Sequence, residues 1–140
     1  MSDSPTRDRR AEVLAAAAAL VAAFGAHDTD GYFAAFAPEA TFLFHSTGRL
    51  LRSRAEYRDL WDQWEADGFA VVGCTSTLGR VDLITEDVAV FTHRVHTRLQ
   101  LDGHPSVLDE RETIVFRRVD GRWLGVHEHL SPDPATDRGL

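Results

Sequence analysis

The stretch "RETIVFRRVDGRWLGVHEHLS", residues 111–131, decides the fold. It consists of two runs of alternating apolar and polar residues on either side of the dipeptide Asp120-Gly121. Successive side chains of a strand point to opposite faces, and Asp-Gly is a preferred hairpin turn. The stretch therefore predicts two antiparallel strands, each with one apolar face.

The register of this hairpin decides which side chains point into the protein. A three-residue loop with a glycine bulge at residues 120–122 pairs Ile114 with Glu128 and Glu112 with Leu130. The face that contains these positions is the apolar one, and it holds Leu124, Val126, Leu130, Ile114 and Phe116. We expect helices to cover this face, so that both glutamates point inward.

The preceding sequence has the same period of two from residue 69 onward. It predicts the strands "FAVVGCTSTLGRVDLI" (69–84), "DVAVFTHRVHTRLQL" (87–101) and "SVLDERETIVFRRV" (106–119), with turns at Glu86-Asp87 and Asp102-Gly103. The segment 40–46, "ATFLFHS", predicts a further strand, and "RLLR" after Gly48 predicts another short one. The expected sheet is mainly antiparallel and six-stranded.

The first half of the chain predicts three helices. Apolar residues at helical spacing indicate a helix at roughly 6–24, which Gly25 ends. Asp28 caps a short second helix that Pro38 ends, with Tyr32, Phe33 and Phe36 inside it.

The third helix has the clearest local signal. Ser53 and Glu56 form a capping box, and Gly68 closes the helix. Its aromatic face holds Tyr57, Leu60, Trp61 and Trp64. The sequence thus predicts an α+β domain over residues 1–140, three helices on one face of a curved sheet, with flexible ends at about 1–4 and 133–140.

Composition excludes several classes of function. The 22 acidic residues exceed the 15 basic ones, and the formal net charge is −7, so a nucleic-acid partner is not expected. The lone Cys74 cannot form an internal disulfide, and no metal-ligand spacing or cofactor motif is present. Arg9 and Arg10 before "VLAAAAALVAAFGA" imitate a secretory signal, but the run is short and acidic residues flank it. We expect a cytoplasmic protein with no cofactor and no membrane partner.

Two buried glutamates need partners, because an isolated charge is not tolerated in an apolar interior. If one face of the strand 87–101 also points inward, Arg94 and His96 can reach Glu112 and Glu128. One reading is a structural ion-pair network between strands. The other is a polar cavity floor in which burial shifts a Glu or His pKa toward neutrality for proton transfer.

The opposite face of the last strand has its own pattern. Trp123, His127 and His129 fall there together. A His-x-His pair can present two imidazoles to a metal, but a third ligand is missing, because His93 lies two strands away. We therefore predict no metal site and expect these residues to form a homodimer interface.

The combination of a helical hairpin, "PEATFLFHS" (38–46), a capped third helix and a terminal "DGRWLGVHEHLSPDP" (120–134) resembles the nuclear transport factor 2-like superfamily, in its SnoaL-like branch. The C-terminus is also similar to the association domain of calcium/calmodulin-dependent kinase II. The resemblance implies a conical cystatin-like roll with a cavity between helices and sheet, and homodimers through the outer sheet face. The superfamily includes isomerases, dehydratases and cyclases, and it also includes modules that only bind ligands or assemble.

At two sets of site positions this sequence departs from members of that superfamily. The isomerase base is replaced by Phe44, and the arginines of the kinase association domain correspond to His96, Ile114 and Leu130. The remaining residues predict a binding site for a small, mainly apolar ligand. The residues expected to contact it are Tyr32, Phe36, Phe44, Tyr57, Trp61, Trp64 and Arg94. Acid/base chemistry of isomerase, cyclase or dehydratase type would use Glu128, Glu112 and His96. The alternative is a non-catalytic ligand-binding or homo-oligomerisation module, and the sequence leaves open whether the protein is an enzyme.

Overall fold

The computed structural model describes residues 3–134 and has α+β architecture, as predicted. Its elements are, in chain order, α1 Asp3–Gly25, α2 Thr29–Ala34, β1 Phe36–Phe44, α3 Arg54–Ala66, β2 Phe69–Thr85, β3 Val88–Leu101, β4 His104–Val119 and β5 Arg122–Pro132. Most of the ends predicted to be flexible lie outside the described residues. Of the remainder, Asp3 belongs to α1, and the Asp133 N–H donates to the Asp109 carbonyl at 3.0 Å.

The described strands form one mixed sheet in the order β1-β5-β4-β3-β2. β1 runs parallel to β5, and the other neighbours are antiparallel. The prediction of a sixth strand after Gly48 is wrong, because Leu51 forms only an isolated bridge to Phe42. Ser53 begins the capping of α3 two residues later, so this segment has no length left for further pairing.

Helix α2 begins as predicted but ends earlier. The Asp28 carboxylate accepts the Gly31 N–H at 3.1 Å. The helix stops at Ala34, so the prediction that it contains Phe36 and ends at Pro38 is wrong. Both residues lie in β1, an edge strand with irregular pairing there, where a proline's missing N–H is tolerated.

Helix α3 has the predicted boundaries. The Ser53 hydroxyl accepts the Glu56 N–H at 3.1 Å, and the buried face carries Tyr57 and Trp61. Gly68 follows with a φ of 96° and lies against the backbone of Asp102, where a Cβ would be 2.7 Å from the nearest atom. Only glycine fits this close approach without strain.

Two-residue turns join the last three strands. In Asp102-Gly103 and in Asp120-Gly121 both residues have positive φ, between 50° and 79°. This is the type I′ geometry that matches the twist of a hairpin. The predicted three-residue loop at 120–122 is therefore wrong.

A bulge inside β5 takes the place of the extra loop residue. Phe116 pairs with Gly125, whereas Val115 pairs with His127, so Val126 is left without a cross-strand partner. Beyond the bulge the register equals the predicted one. Between the turn and the bulge, Trp123 and Leu124 of β5 point to the face opposite to the prediction, whereas Phe116 on β4 keeps its predicted face.

Trp123 is the main consequence of this inversion. Its side chain is buried among core residues, and the indole N–H donates to the Glu12 carboxylate of α1 at 2.9 Å. The prediction that Trp123 lies on the outer face of the sheet is wrong. Leu124, predicted inward, instead pairs with the exposed Arg117 on the outer face.

The three helices cover the inner face of the sheet, which we define as the face that holds Phe116, Ile114 and Glu128. Helix α1 packs mainly on β2 through its buried Val13, Ala17 and Leu20. In the described part of the chain, no helix has the length and apolar character needed to cross a membrane.

Candidate functional site

A cavity of about 600 Å³ lies between the helices and the inner face of the sheet. Aromatic and aliphatic side chains together form most of its wall. Five predicted ligand contacts line it: Tyr32, Phe44, Tyr57, Trp61 and Trp64. Phe24, Phe69 and several aliphatic side chains complete the wall.

Two predicted ligand contacts do not line the cavity. Phe36 is fully buried beside Gly125, where an added Cβ would come within 2.7 Å of the Phe36 ring. Arg94 lies on the outer face, with its side chain 48% exposed and its guanidinium 3.7 Å from Asp133. Including these two residues in the site was therefore wrong.

The cavity floor, as we define it, consists of the carboxyl groups of Glu110, Glu112 and Glu128. All three side chains are buried, and Glu128 is only 2% exposed. Glu112 and Glu128 point inward as predicted, because the bulge restores the register before these positions. They lie on neighbouring strands, diagonal to each other, because Glu112 pairs with Leu130 and Ile114 pairs with Glu128.

The prediction that His96 reaches the glutamates is wrong. His96 lies on the outer face, where its Nδ1 is 2.7 Å from the Asp109 carboxylate. The register of β3 places His93 inward instead, directly opposite Glu112. The two-residue turn at Asp102-Gly103 sets this register.

His93 is the partner of Glu112 that the sequence reasoning missed. Its Nε2 lies 2.6 Å from Glu112 Oε1, and its Nδ1 lies 2.6 Å from Ser76 Oγ. Burial lowers the pKa of His93 to about 4, so the imidazole is neutral near pH 7. The alternation of Phe91, Val95 and Leu99 along β3 was a signal for this facing, since these apolar residues share the face of His93.

Two tyrosine hydroxyl groups, those of Tyr32 and Tyr57, lie close to Glu128. The Tyr32 hydroxyl donates to Glu128 Oε1 at 3.3 Å and lies 2.9 Å from the Tyr57 hydroxyl. Burial, with a further contribution from the neighbouring Glu112, raises the pKa of Glu128 well above its ordinary value. Burial also raises the pKa values of both tyrosines, so they stay protonated and can donate.

Glu110 and Cys74, which also line the cavity, each have a partner. Glu110 Oε2 lies 2.6 Å from His45 Nε2, and burial raises the pKa of Glu110. Cys74 Sγ lies 3.8 Å from Thr97 Oγ1, and burial raises the pKa of this thiol to about 11. Neither contact was predicted from the sequence.

The charged side chains in the described cavity wall are all acidic. Among the residues described, the cavity lining includes Asp67, Glu110, Glu112 and Glu128, and it contains no Arg, Lys or His. Such a wall disfavours an anionic ligand, because no cation is available to replace the lost hydration of the anion.

His127 and His129 lie on the outer face, as predicted. The Nδ1 atom of His127 is 2.8 Å from the Thr41 hydroxyl, and the two imidazole rings are 6.4 Å apart. Within residues 3–134, no group of three or more His, Cys, Asp or Glu side chains is arranged to hold a metal ion.

Comparison with known proteins gives one family match. Residues 13–135 match the sequence model of the family described as SnoaL-like domain. The chain is also 25% identical, over 97% of its length, to the delta subunit of calcium/calmodulin-dependent protein kinase type II from Oryctolagus cuniculus. It spans only about a quarter of that relative, 26% of its length.

Two solved structures are similar in fold. The association domain of C. elegans CaMKII is 21% identical, with 92% of this chain and 98% of that chain covered and a TM-score of 0.70. A ketosteroid isomerase-like protein from Erwinia carotovora atroseptica is 16% identical, with 88% and 95% covered and a TM-score of 0.74. At these identities the likeness shows the fold alone.

Proposed function

The chain belongs to the family of SnoaL-like domains, and we propose that its cavity binds a small, flat, mainly apolar molecule and acts on it by acid/base chemistry. The reaction class is that of an isomerase, cyclase or dehydratase. The observation that carries the proposal is the pair of buried, neighbouring carboxyl groups of Glu112 and Glu128 in the wall of a mainly apolar cavity.

Such a pair can supply both halves of an acid/base reaction. A protonated carboxyl group can donate to a carbonyl or a departing hydroxyl oxygen, and an ionised one can take a proton from the neighbouring carbon. In a site that excludes water, a preorganised donor stabilises the oxygen on which negative charge develops. The tyrosine hydroxyls of Tyr32 and Tyr57 support the donor side, since Tyr32 already contacts Glu128.

The wall suggests the class of ligand. Trp61, Trp64 and Tyr57 offer ring faces and edges to a planar molecule, and the acidic lining favours one without a negative charge. We propose a neutral, unsaturated cyclic ketone or a related polyketide-like compound. Its carbonyl oxygen would point to the floor and its rings would contact the aromatic wall.

A suitable test uses 2-tetralone, a flat ketone whose C1 protons exchange slowly with D₂O. We expect the wild-type chain to accelerate this exchange, measured by ¹H NMR, and Glu128→Gln to lower the acceleration by roughly a hundredfold. Asp109→Asn, which removes an outer-face carboxylate, is the matched control and should leave the rate unchanged. A wild-type chain no better than buffer, or an undiminished E128Q rate, would reject the proposal.

A second candidate function is a non-catalytic binding or homo-oligomerisation module. The likeness to kinase association domains favours it, together with an outer face that carries His127 and His129. Under this proposal the cytoplasmic chain forms homodimers through that face. Glu128→Gln would then lower the melting temperature but leave the affinity for 2-tetralone nearly intact.

Sedimentation analysis tests the assembly directly. A homodimer has twice the chain mass of 15.6 kDa. We expect His129→Glu, a charge placed on the outer face, to shift the equilibrium toward monomers, with Asp59→Asn, an exposed position on α3, as a control. A monomeric wild-type chain at high concentration would exclude the dimer.

A further inference from the structure

The two buried glutamates have different hydrogen-bond partners. Glu112 is contacted by His93, which in turn contacts Ser76. Glu128 lies on the neighbouring strand and accepts a hydrogen bond from Tyr32. The two carboxyl groups are thus neighbours in the sheet but have different surroundings.

The contact with Tyr32 bears on where a proton of Glu128 lies. The Tyr32 O–H donates a hydrogen bond to Glu128 Oε1, which leaves Oε2 as the oxygen that carries the proton of a protonated Glu128. A hydrogen bond donated to a buried carboxylate favours its ionised form. Glu112 receives such a bond if His93 donates.

The surroundings of His93 support the donor role. The side chain is fully buried, and both ring nitrogens have partners at 2.6 Å, Ser76 Oγ and Glu112 Oε1. A neutral imidazole has one N–H and one acceptor nitrogen, so Nε2–H donates to Glu112 when Nδ1 accepts from the serine. The lowered pKa of His93 agrees with a neutral ring.

We propose that His93, oriented by Ser76, places the negative charge of the carboxyl pair on Glu112 and leaves the proton on Glu128. His93 and Ser76 are positioning residues, because both act through Glu112. The consequence for chemistry rests on the proposed function: Glu112 is the base and Glu128 the acid. The division of roles is fixed before any ligand enters.

Other ionisable groups face the pair and must be included in any titration. Glu110, with its partner His45, lies on the same floor and raises the pKa values of both members of the pair. Tyr32, Tyr57 and Cys74 also face the cavity, and the pKa of each is raised, so these three groups stay neutral near pH 7.

The experiment is NMR on the full chain without ligand. Glutamate carries ¹³C at the carboxyl carbon and histidine carries ¹⁵N, with assignments from Glu112→Gln and Glu128→Gln. At pH 7 we expect an ionised signal for Glu112, a protonated signal for Glu128, and a His93 ring with hydrogen on Nε2 only. A protonated Glu112 beside an ionised Glu128, or hydrogen on Nδ1 of His93, would overturn the proposal.

Substitution of the histidine provides the second arm. His93→Phe removes the donor and should raise the titration midpoint of Glu112 by at least one pH unit, a tenfold change in proton affinity. His96→Phe, on the same strand but on the outer face, should leave that midpoint unchanged. An unchanged Glu112 midpoint in H93F would contradict the proposal.

A second variant at position 93 and a readout without ligand complete the experiment. If H93F does not fold, His93→Gln retains an N–H donor and should keep Glu112 ionised at pH 7, whereas a protonated Glu112 in H93Q or the wild type counts against the proposal. The spectra require neither a ligand nor turnover. Failure of 2-tetralone exchange together with the expected spectra would therefore reject the proposed function and leave the proton distribution intact.

Discussion

The sheet carries two histidine–carboxylate pairs of nearly equal length on its opposite faces. On the inner face His93 Nε2 lies 2.6 Å from Glu112, and on the outer face His96 Nδ1 lies 2.7 Å from Asp109. Both pairs join β3 to β4, and the two histidines are three residues apart. They differ in burial: the side chain of His93 is fully buried and that of His96 is 45% exposed.

The comparison shows that environment, rather than contact length, determines the properties of such a pair. On the outer face water solvates both groups, so the pair contributes little to stability. On the inner face both side chains are buried, and His93 depends on Glu112 and Ser76 for its hydrogen bonds. The same two residue types thus form a surface contact in one place and the floor of a cavity in the other.

Removal of each histidine should give the largest difference between the two faces, measured as the change in the free energy of unfolding. His93→Ala leaves Glu112 buried without its donor, and we expect a loss of about 3–5 kcal/mol in the free energy of unfolding. His96→Ala should cost at most about 1 kcal/mol. Urea denaturation at pH 7 measures both, and equal effects would show that burial is not the deciding factor.

The reactivity of a thiol should differ between positions 74 and 75, which are adjacent in β2 but lie on opposite faces of the sheet. Burial raises the pKa of Cys74 to about 11, so little thiolate is present at pH 8. We expect iodoacetamide to react with it about a hundredfold more slowly than with Cys in Thr75→Cys, made in a Cys74→Ser background. Thr75 is exposed on the outer face opposite His96, which makes it a matched position. In 8 M urea both thiols should react at similar rates, and a difference that persists there would rule out the fold as its cause.

The pH dependence of stability tests the proton on Glu128. Its pKa is raised above the ordinary value of 4.5, so the folded state holds a proton that the unfolded state releases. This stabilisation is complete below pH 4.5 and falls by about 1.4 kcal/mol per pH unit above it, until the raised pKa is reached. Glu128→Gln has no such proton. We expect its stability relative to the wild type to improve as pH rises from 5 to 8, measured by urea denaturation.

Ligand charge gives the smallest expected effect. The described cavity wall has acidic but no basic side chains, so 2-tetralone should bind at least tenfold more tightly than the anion of tetralin-2-carboxylic acid. Quenching of Trp61 and Trp64 fluorescence at pH 7 reports both affinities. Equal affinities would mean that the floor does not select against negative charge.

Much of the architecture could be read from local signals. The caps Asp28 and Ser53, the glycine after α3 and the Asp-Gly turns each act within a few residues, and the structure confirms them. The aromatic face of α3 was also visible, because side chains three and four residues apart share one side of a helix. Three of the seven predicted ligand contacts, Tyr57, Trp61 and Trp64, line the cavity for this reason.

The errors at the site came from counting across strands. The Asp102-Gly103 turn, read as a two-residue hairpin, places His93 opposite Glu112 by simple counting, so this contact was available from the sequence. The bulge at Val126 was not. It does not alter the alternation of residue types, but it exchanges the faces of Trp123 and Leu124.

The sequence by itself determined the α+β class, the caps of α2 and α3, the positions of the Asp-Gly turns and, through the Asp102-Gly103 turn, the pairing of His93 with Glu112, because these depend on residues close together at a cap or a turn. Tertiary structure alone decided where the bulge lies and which of the two histidine–carboxylate pairs is buried. The physical reason is that a shift of one residue in strand register exchanges the two faces of the sheet, as it does for Trp123 and Leu124, without changing the pattern of residue types. Whether a carboxyl group is then in water or beneath three helices sets its pKa, and with it the chemistry available to the cavity.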